Sequence, residues 1–184
     1  MKIILASGSP RRRQLMQLAG ISFEIIVTNA DETISGDPEY QVTGLALRKA
    51  RAVAAPADSV VIGADTLVYA NGQVLGKPRD EAEAFTMLKK LSGKKHTVYT
   101  GVALIKDGEE RVFADATHVY FHPLTDEEIL AYIATGEPMD KAGAYGVQER
   151  GAILVDRVEG DFYTVVGLPI SKVYRALVEM GYRP

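Results

Sequence analysis

The sequence predicts a mixed α/β fold in which helices cover a central sheet. In the first half of the chain, short apolar segments alternate with amphipathic stretches, as expected of alternating strands and helices. Further along, the dipeptides Asn71-Gly72 and Asp107-Gly108 each separate two strand-like segments and indicate locally paired strands. With 184 residues, of which 47% are hydrophobic, the chain is large enough for one domain spanning residues 1–184.

Capping residues define the helices of the first half. Ser9 is a favourable N-cap with Pro10 at the first helical position, and Gly20 follows the last turn of that helix. Asp37 is the corresponding N-cap of the second helix. The predicted elements are, in order, a strand at Lys2–Ala6, a helix at Arg11–Leu18, a strand at Phe23–Val27, a helix at Pro38–Ala55 and a buried strand at Ser59–Ala64.

Hairpins and capped helices make up the second half. The two turn dipeptides join Thr66–Ala70 to Gln73–Leu75 and Thr97–Ile105 to Glu110–Phe121. Thr125 is the N-cap of a helix with an acidic first turn, which complements the helix dipole. The remaining predicted elements are a helix at Asp80–Leu91, the Thr125 helix running to Thr135, a strand at Ala152–Val158 and a helix at Leu168–Met180.

Composition and charge exclude several classes of protein. The absence of Cys excludes disulfides, thiolate catalysis and cysteine-based metal sites. The 21 basic and 24 acidic residues give a formal net charge of −3, so the basic footprint of a protein that coats nucleic acid is missing. No apolar run approaches the roughly 20 residues that span a bilayer, and the apolar start is too short for a signal peptide. We therefore expect a cytoplasmic protein whose partners include no nucleic-acid polymer and no membrane.

An anion site is predicted where the first strand ends and the first helix begins. Ser7, Gly8 and Ser9 form a turn of small residues, so backbone N–H groups and the helix dipole point at whatever lies in it. Arg11 and Arg12 follow, and guanidinium groups bind phosphate oxygens in pairs. The alternative is a capped helix with solvated arginines, but basic charge in a first turn opposes the helix dipole. Both serines and both arginines are candidate phosphate ligands.

Lys49 lies within the apolar stripe of the second predicted helix. Val42 precedes it by seven residues and Val53 follows it by four, so the three share one helical face. A lysine in such a position can cover the core with its stem while its ammonium reaches water. Inward-facing lysines are usually paired, however, which favours an ammonium that meets an anion in a cleft.

Two acidic positions are candidates for metal and proton chemistry. Asp65 follows the buried strand, and open α/β sheets bind ligands at the carboxyl ends of their strands. It is a candidate metal ligand or general base, against the alternative of a local turn residue. Glu32, in the loop after the second strand, can join Asp65 in holding Mg²⁺ through carboxylate oxygens.

Three further positions are weaker candidates. Lys77 lies in the rigid turn Gly76-Lys77-Pro78, which suits a phosphate. Lys141 and Gln148 lie in the small-residue loop 140–148, where backbone can approach a planar ligand closely, although an ordinary surface loop has the same composition. HExxH, GxSxG and Walker A motifs are missing from the sequence. The cations and carboxylates together indicate a nucleoside polyphosphate and a divalent metal as ligands.

These motifs resemble those of the Maf-like nucleotide pyrophosphatases, relatives of the inosine triphosphate pyrophosphatases, along nearly the whole chain. The resemblance begins with Leu5-Ala6-Ser7-Gly8-Ser9-Pro10-Arg11-Arg12. The other matching segments are, in order, Asp31-Glu32, Leu45-Ala46 with Lys49-Ala50, Gly63-Ala64-Asp65-Thr66, Gly76-Lys77-Pro78, Leu91-Ser92-Gly93, Thr100-Gly101-Val102-Ala103, Gly136-Glu137-Pro138, Asp140–Gln148, Gly160-Asp161 and Val165-Val166-Gly167-Leu168-Pro169.

The resemblance implies an elongated mixed central sheet flanked by helices, with two lobes and a cleft between them. It also implies a homodimer that hydrolyses a nucleoside triphosphate to the monophosphate and pyrophosphate with Mg²⁺ or Mn²⁺, with Asp65 as proton acceptor. The positions matching Arg11, Thr66 and Gln148 bear on base choice, and loop 140–148 is similar to that of the dTTP/UTP branch. Glu149 is a departure, because that branch usually has Gly there.

Two functions compete on this basis. The first is a cytoplasmic dTTP/UTP pyrophosphatase that removes unwanted nucleotides. In it Asp65 accepts the proton of the attacking water or holds the metal that acidifies that water, Glu32 helps to bind the metal, and Arg12, Lys49 and Lys77 neutralise the triphosphate. The second is a non-catalytic nucleotide-binding regulator of cell division and septum formation, which needs the anion site but not Asp65 with a metal.

Overall fold

Seven strands form one mixed sheet in the computed structural model, which describes residues 1–183. The strands are β1 (Lys2–Leu5), β2 (Glu24–Ile25), β3 (Ser59–Ala70), β4 (Gln73–Leu75), β5 (Lys95–Lys106), β6 (Glu109–Phe121) and β7 (Val155–Glu159). Their order across the sheet is β2-β1-β3-β5-β6-β7, and β4 pairs with β3. β1 is parallel to β2 and β3, whereas β4 and β7 are antiparallel to β3 and β6. The predicted mixed sheet is confirmed.

Three helices begin at their predicted caps, Ser9, Asp37 and Thr125, and Asp80, predicted as the first residue of a helix, is the N-cap of another. Ser9, Asp37, Asp80 and Thr125 each accept a hydrogen bond from the backbone N–H three residues further on. The α-helices are α1 (Pro10–Leu18), α2 (Pro38–Arg51), α3 (Glu81–Leu91), α4 (Asp126–Ile133), α5 (Phe162–Val166) and α6 (Ile170–Glu179), and short 3₁₀ helices lie at Glu137–Asp140, Ala142–Ala144 and Arg150–Leu154. Within residues 1–183, none of these helices has the length and apolar character needed to cross a bilayer.

Both hairpin turns have the backbone geometry that their sequences require. Asn71 and Gly72 have φ values of 51° and 78°, and Asp107 and Gly108 have values of 48° and 86°. Two successive residues with positive φ define the turn that matches the twist of antiparallel strands, and Asn, Asp and Gly tolerate it best. The predicted hairpin at Asn71-Gly72 is confirmed by the antiparallel pairing of β3 with β4.

The prediction that Asp65 follows the end of a strand is wrong. The segments Ser59–Ala64 and Thr66–Ala70 are a single strand, β3, and Asp65 lies in its interior. Pairing explains the continuity, because the first part of β3 pairs with β1 and its last three residues pair with β4. Two neighbours in the sheet thus keep the backbone extended on both sides of Asp65.

Other element boundaries also differ from the prediction. α2 ends at Arg51 rather than near residue 55, and Pro56 disfavours helical backbone at Ala55, the last residue of the predicted helix. β2 has two residues instead of five, and both are exposed. The predicted strand at Ala152–Val158 begins at Val155, since the preceding segment Arg150–Leu154 is a 3₁₀ helix.

The chain forms two compact units. The first contains Met1–Thr66, Thr100–Asp115 and the described residues from Gly167 onward, and the second contains Leu67–Tyr99 and Ala116–Val166. Strands β3, β5 and β6 each supply residues to both units. In the first unit, residues of α2 pack on the sheet in a buried hydrophobic cluster. The members of this cluster are Ile4, Ala6, Ala46, Ala50, Val53, Val61 and Ala103. In the second unit, α3 packs against α4.

Candidate functional site

Close packing of α2 on the sheet brings Lys49 to Asp65 in the first unit. A Cβ atom on Gly63 would lie 2.1 Å from the carbonyl oxygen of Ala46, and one on Gly101 would lie 2.3 Å from the backbone of the same helix. Only glycine therefore lets α2 come this near to β3 and β5. Asp65 is two residues beyond Gly63 and projects from the same face of the strand, towards the helix that carries Lys49.

The ammonium group of Lys49 binds two carboxylates. Its Nζ atom lies 2.6 Å from Oδ1 of Asp65 and 2.8 Å from Oε1 of Glu32. The side chains of Lys49 and Asp65 are only 17% and 16% exposed, whereas that of Glu32 is 67% exposed. The inward position predicted for Lys49 is observed, and the anions that it meets belong to the chain itself.

Glu32 and Asp65 have the chemistry of a Mg²⁺ or Mn²⁺ site. Because an oxygen of each contacts the same nitrogen, the two carboxylates converge on one point. One or two carboxylates are the usual protein contribution to a Mg²⁺ site, whose other ligands are waters and substrate phosphates. Residues 1–183 contain no group of three or more His, Cys, Asp or Glu side chains placed to hold a metal. The pair therefore fits a metal shared with a phosphate-bearing substrate.

Arg12 is buried and holds three parts of the first unit together. Its Nε atom donates to the carbonyl oxygen of Gly167 at 2.8 Å, and its two terminal nitrogens donate to the hydroxyls of Ser7 and Thr66, each at 3.1 Å. The Thr66 hydroxyl is also 2.9 Å from that of Thr100. Arg12 is 9% exposed, so for this residue the alternative of a capped helix with solvated arginines does not hold.

The charge of Arg12 belongs to the same electrostatic cluster as the carboxylates. Burial lowers the pKa of the guanidinium from its ordinary value, and the charge of Arg11 adds to that effect. Asp65 and Glu32 act in the opposite direction, because their negative charges favour the protonated form. Arginine remains charged throughout the physiological range, so a buried positive group stands in the field of the two carboxylates.

The predicted anion turn is organised by its own hydroxyls. Ser7 accepts a hydrogen bond from the backbone N–H of Ser9 at 3.3 Å, and Ser9 accepts one from the backbone N–H of Arg12 at 3.5 Å. Ser7 is buried, whereas Ser9 and Arg11 are partly exposed. The turn thus has the geometry of a capped helix N-terminus, and its roles towards a ligand remain predictions.

Lys141, a candidate in the second unit, is engaged within its own loop. The Nζ atom donates to the carbonyl oxygen of Glu137 at 2.8 Å and to Oδ1 of Asp140 at 2.9 Å, and the side chain is 8% exposed. Glu149, the departure from the dTTP/UTP branch, places a carboxylate 3.8 Å from the same nitrogen. Its φ of −110° lies outside the left-handed region that favours glycine.

The other two candidates of the second unit, Lys77 and Gln148, are exposed. Their segments are connected through the backbone, because the N–H of Gly143 donates to the carbonyl oxygen of Gly76 at 3.0 Å. Sequence reasoning assigned no role to Thr100, to Gly167 or to the residues that bury loop 140–148. A carbonyl oxygen such as that of Gly167 leaves no signal in a sequence, whereas the aromatic residue in a loop rich in glycine was a signal that could have been followed.

Comparisons with known proteins bear on the family and the fold of the chain. The family model described as Maf-like protein matches residues 2–180. A dTTP/UTP pyrophosphatase of Bacillus cereus is 55% identical over 183 residues, covering 98% of this chain and 96% of the relative. A protein of the same name from Bacillus anthracis is 54% identical with the same coverage. The structure of the Staphylococcus aureus Ham1 protein aligns with 99% of this chain and 100% of its own at a TM-score of 0.55 and 15% identity, which shows a shared fold.

Proposed function

Because the chain belongs to the family of Maf-like proteins, we propose that it hydrolyses dTTP and UTP to the nucleoside monophosphate and pyrophosphate. The observation that carries the proposal is the 55% identity, over 98% of the chain, to proteins named for that reaction. The contact of Lys49 with Asp65 and Glu32 supports it, because a nucleotide-binding regulator would not need paired carboxylates beside a buried arginine. Hydrolysis is therefore favoured over the regulatory alternative.

In the proposed reaction, water attacks the α-phosphorus in line with the leaving group. A bond forms between the water oxygen and that phosphorus, the bond from the phosphorus to the bridging oxygen of the β-phosphate breaks, and pyrophosphate leaves. The carboxylate of Asp65 accepts the proton lost by the water. Lys49 orients that carboxylate through the 2.6 Å contact.

Charge compensation for the triphosphate is assigned to the basic candidates. Arg12, Lys49 and Lys77 are proposed to neutralise the phosphates, and Ser7 and Ser9 to donate hydrogen bonds to them. Glu32 and Asp65 would hold Mg²⁺ or Mn²⁺, which supplies positive charge to the phosphate oxygens when bound.

Base choice is assigned to Gln148, with Arg11 and Thr66 as further contributors. Thymine and uracil present a ring N–H donor beside a carbonyl acceptor, and a primary amide offers the complementary acceptor and donor. Cytosine reverses that pattern and leaves both amide groups unpaired, which costs roughly 1–3 kcal/mol for each group. The solvent-exposed position of Gln148 is compatible with this role. We also propose that the enzyme is a cytoplasmic homodimer, as expected for the family.

The test is pyrophosphate release from a panel of dTTP, UTP, CTP and purine nucleoside triphosphates, with Mg²⁺ and then with excess EDTA. We expect release from dTTP and UTP that EDTA abolishes. Binding without release from any nucleotide would favour the regulatory alternative, and release from CTP at the rate seen with UTP would overturn the assignment of the substrate.

The role of Asp65 has a separate test. Asp65→Asn keeps the shape of the side chain but cannot accept a proton, so we expect turnover to fall by about 10²–10⁴-fold while nucleotide binding, measured by calorimetry, is largely retained. Near-normal turnover in this variant would rule out Asp65 as the proton acceptor.

A further inference from the structure

Three aromatic rings form a buried cluster in the second unit. His96, Phe121 and Tyr145 are 2%, 4% and 5% exposed. Each pair is arranged edge to face, with ring centroids 5.0 Å apart for His96 and Phe121, 5.3 Å for His96 and Tyr145, and 4.8 Å for Phe121 and Tyr145. Edge-to-face contact is a favourable geometry for aromatic rings. A hydrogen bond of 2.7 Å also connects Nε2 of His96 and the hydroxyl of Tyr145.

His96 and Phe121 lie on strands, whereas Tyr145 comes from loop 140–148. His96 is in β5 and Phe121 is the last residue of β6, so two partners of the cluster are fixed by the sheet. Tyr145 is the one member that a loop supplies. The cluster therefore attaches the middle of the loop to the rigid part of the second unit.

The backbone before Tyr145 is held in a conformation that it would not adopt by itself. Ala144 has a φ of 61°, in the left-handed region that residues with a Cβ rarely occupy, and it is fully buried. A strained backbone conformation persists only where surrounding contacts impose it. Tyr145 is the next residue in the chain, and its insertion into the aromatic cluster is a contact of this kind.

The backbone after Tyr145 is fixed as well. The N–H of Gly146 donates to the hydroxyl of Tyr132 at 3.1 Å, and a Cβ atom on Gly146 would lie only 2.5 Å from Cε of Lys141. Val147 is 9% exposed, and Gln148 is the first exposed residue beyond this buried run. The place where the Gln148 side chain begins is thus set by the anchoring of Tyr145, three residues earlier.

We propose that His96 and Tyr145 are positioning residues for base choice, because their buried hydrogen bond holds loop 140–148 in the conformation that orients the amide of Gln148. The inference rests on the proposed function, in which that amide distinguishes thymine and uracil from cytosine. Neither residue touches the substrate in this account. Burial lowers the pKa of His96 to about 4, so at neutral pH the imidazole is uncharged and the hydrogen bond joins two neutral groups.

The test compares Tyr145→Phe with the wild type in the ratio of kcat/KM for UTP to kcat/KM for CTP. The variant keeps the ring and its edge-to-face contacts but loses the hydroxyl. We expect the ratio to fall about fivefold or more, through a loss with UTP rather than a gain with CTP, because hydrogen-bonded recognition is sensitive to displacements of about 1 Å. His96→Gln should lower the ratio in the same way, and the double variant should add little to either single change.

Two control variants separate positioning from general destabilisation. Tyr120→Phe removes a tyrosine hydroxyl of the same unit, which is bonded to Glu159 at 2.9 Å rather than to loop 140–148. Val98→Ala removes two methyl groups from a side chain on β5 that is 2% exposed, and destabilises the unit without removing a hydrogen bond of the loop. We expect both controls to keep the wild-type ratio. An equal fall in Val98→Ala, or an unchanged ratio in both His96→Gln and Tyr145→Phe, would overturn the inference.

Hydrogen exchange tests the anchoring of loop 140–148 independently of activity. Backbone amides of residues 143–147 should exchange faster in Tyr145→Phe than in the wild type and in Tyr120→Phe. If the wild type hydrolyses neither dTTP nor UTP, the proposed function fails, and the exchange rates alone support or refute the anchoring of the loop. Should Tyr145→Phe not fold, His96→Gln provides the same comparison.

Discussion

Acidification should weaken the fold through His96 before most carboxylates begin to titrate. The imidazole is 2% exposed, and its Nδ1 atom has no hydrogen-bond partner within residues 1–183. Protonation would place an uncompensated charge in an aromatic cluster, and this desolvation lowers the pKa of His96 from 6.5 to about 4. In the unfolded chain the same group is solvated and keeps its ordinary pKa.

The size of the effect follows from these two pKa values. Because the folded pKa is the lower one, the unfolded chain binds the extra proton between pH 6.5 and 4, and stability falls as the pH falls through that range. A difference of about 2.5 in pKa corresponds to about 3 kcal/mol in the free energy of unfolding. About 2 kcal/mol of this should be lost between pH 8 and 5. That is a large fraction of the roughly 5–15 kcal/mol typical of whole domains.

The assay is urea denaturation, followed by circular dichroism at pH 8, 7, 6 and 5, for the wild type and His96→Gln. The glutamine amide does not titrate in this range. Every other ionisable group is common to both proteins, including the partly exposed His118 and the exposed His122, so their contributions cancel in the difference. The wild type should lose about 2 kcal/mol relative to the variant between pH 8 and 5. A difference that stays constant with pH would show that His96 is not held as a buried neutral imidazole.

Three other substitutions test the site and its support. Lys49→Met should lower both the melting temperature and turnover, because the largely buried Asp65 loses its ammonium partner. Adding Asp65→Asn should restore the melting temperature but not turnover. An active Lys49→Met enzyme would mean that the lysine only covers the core. Gln148→Glu should lose the preference for dTTP and UTP over CTP, because a carboxylate only accepts; an unchanged ranking of kcat/KM would exclude Gln148 from base choice. Gly63→Ala should lower the free energy of unfolding by about 2 kcal/mol in urea titrations, since its methyl group would meet the backbone of Ala46; unaltered stability would contradict the close packing of α2 on β3.

Features set by neighbours in sequence could be predicted from the sequence. Ser9 and Asp37 cap their helices, and the dipeptides Asn71-Gly72 and Asp107-Gly108 adopt the positive φ values of hairpin turns. In each case the side chain or the φ preference of one or two residues decides the local backbone. The inward position of Lys49 was predictable for a similar reason, because its place in the apolar stripe depends only on helical periodicity.

Features that depend on distant partners were beyond sequence reasoning. The continuity of β3 through Asp65 depends on pairing with both β1 and β4. Arg12 was predicted as a phosphate ligand, but one of its hydrogen bonds goes to Gly167, 155 residues further along the chain. Likewise, the small residues of loop 140–148 indicated either a ligand-binding loop or an ordinary surface loop, and the contact of Tyr145 with His96 on β5, which buries the middle of the loop, was not predicted.

Charge balance in the first unit bears on the divalent metal of the proposed reaction. Arg12 and Lys49 stand beside Glu32 and Asp65, so two positive and two negative side chains offset one another before any substrate binds. A nucleoside triphosphate brings several further negative charges, and like charges in a partly buried site repel strongly. Arg11, next in the chain to Arg12, cannot compensate for all of them. In the proposed reaction, a divalent cation that arrives with the nucleotide would remove the deficit, and the exposed carboxylate of Glu32 is on the accessible side of the pair. EDTA should therefore weaken nucleotide binding as well as turnover, whereas a cation needed only to activate the water would leave binding intact.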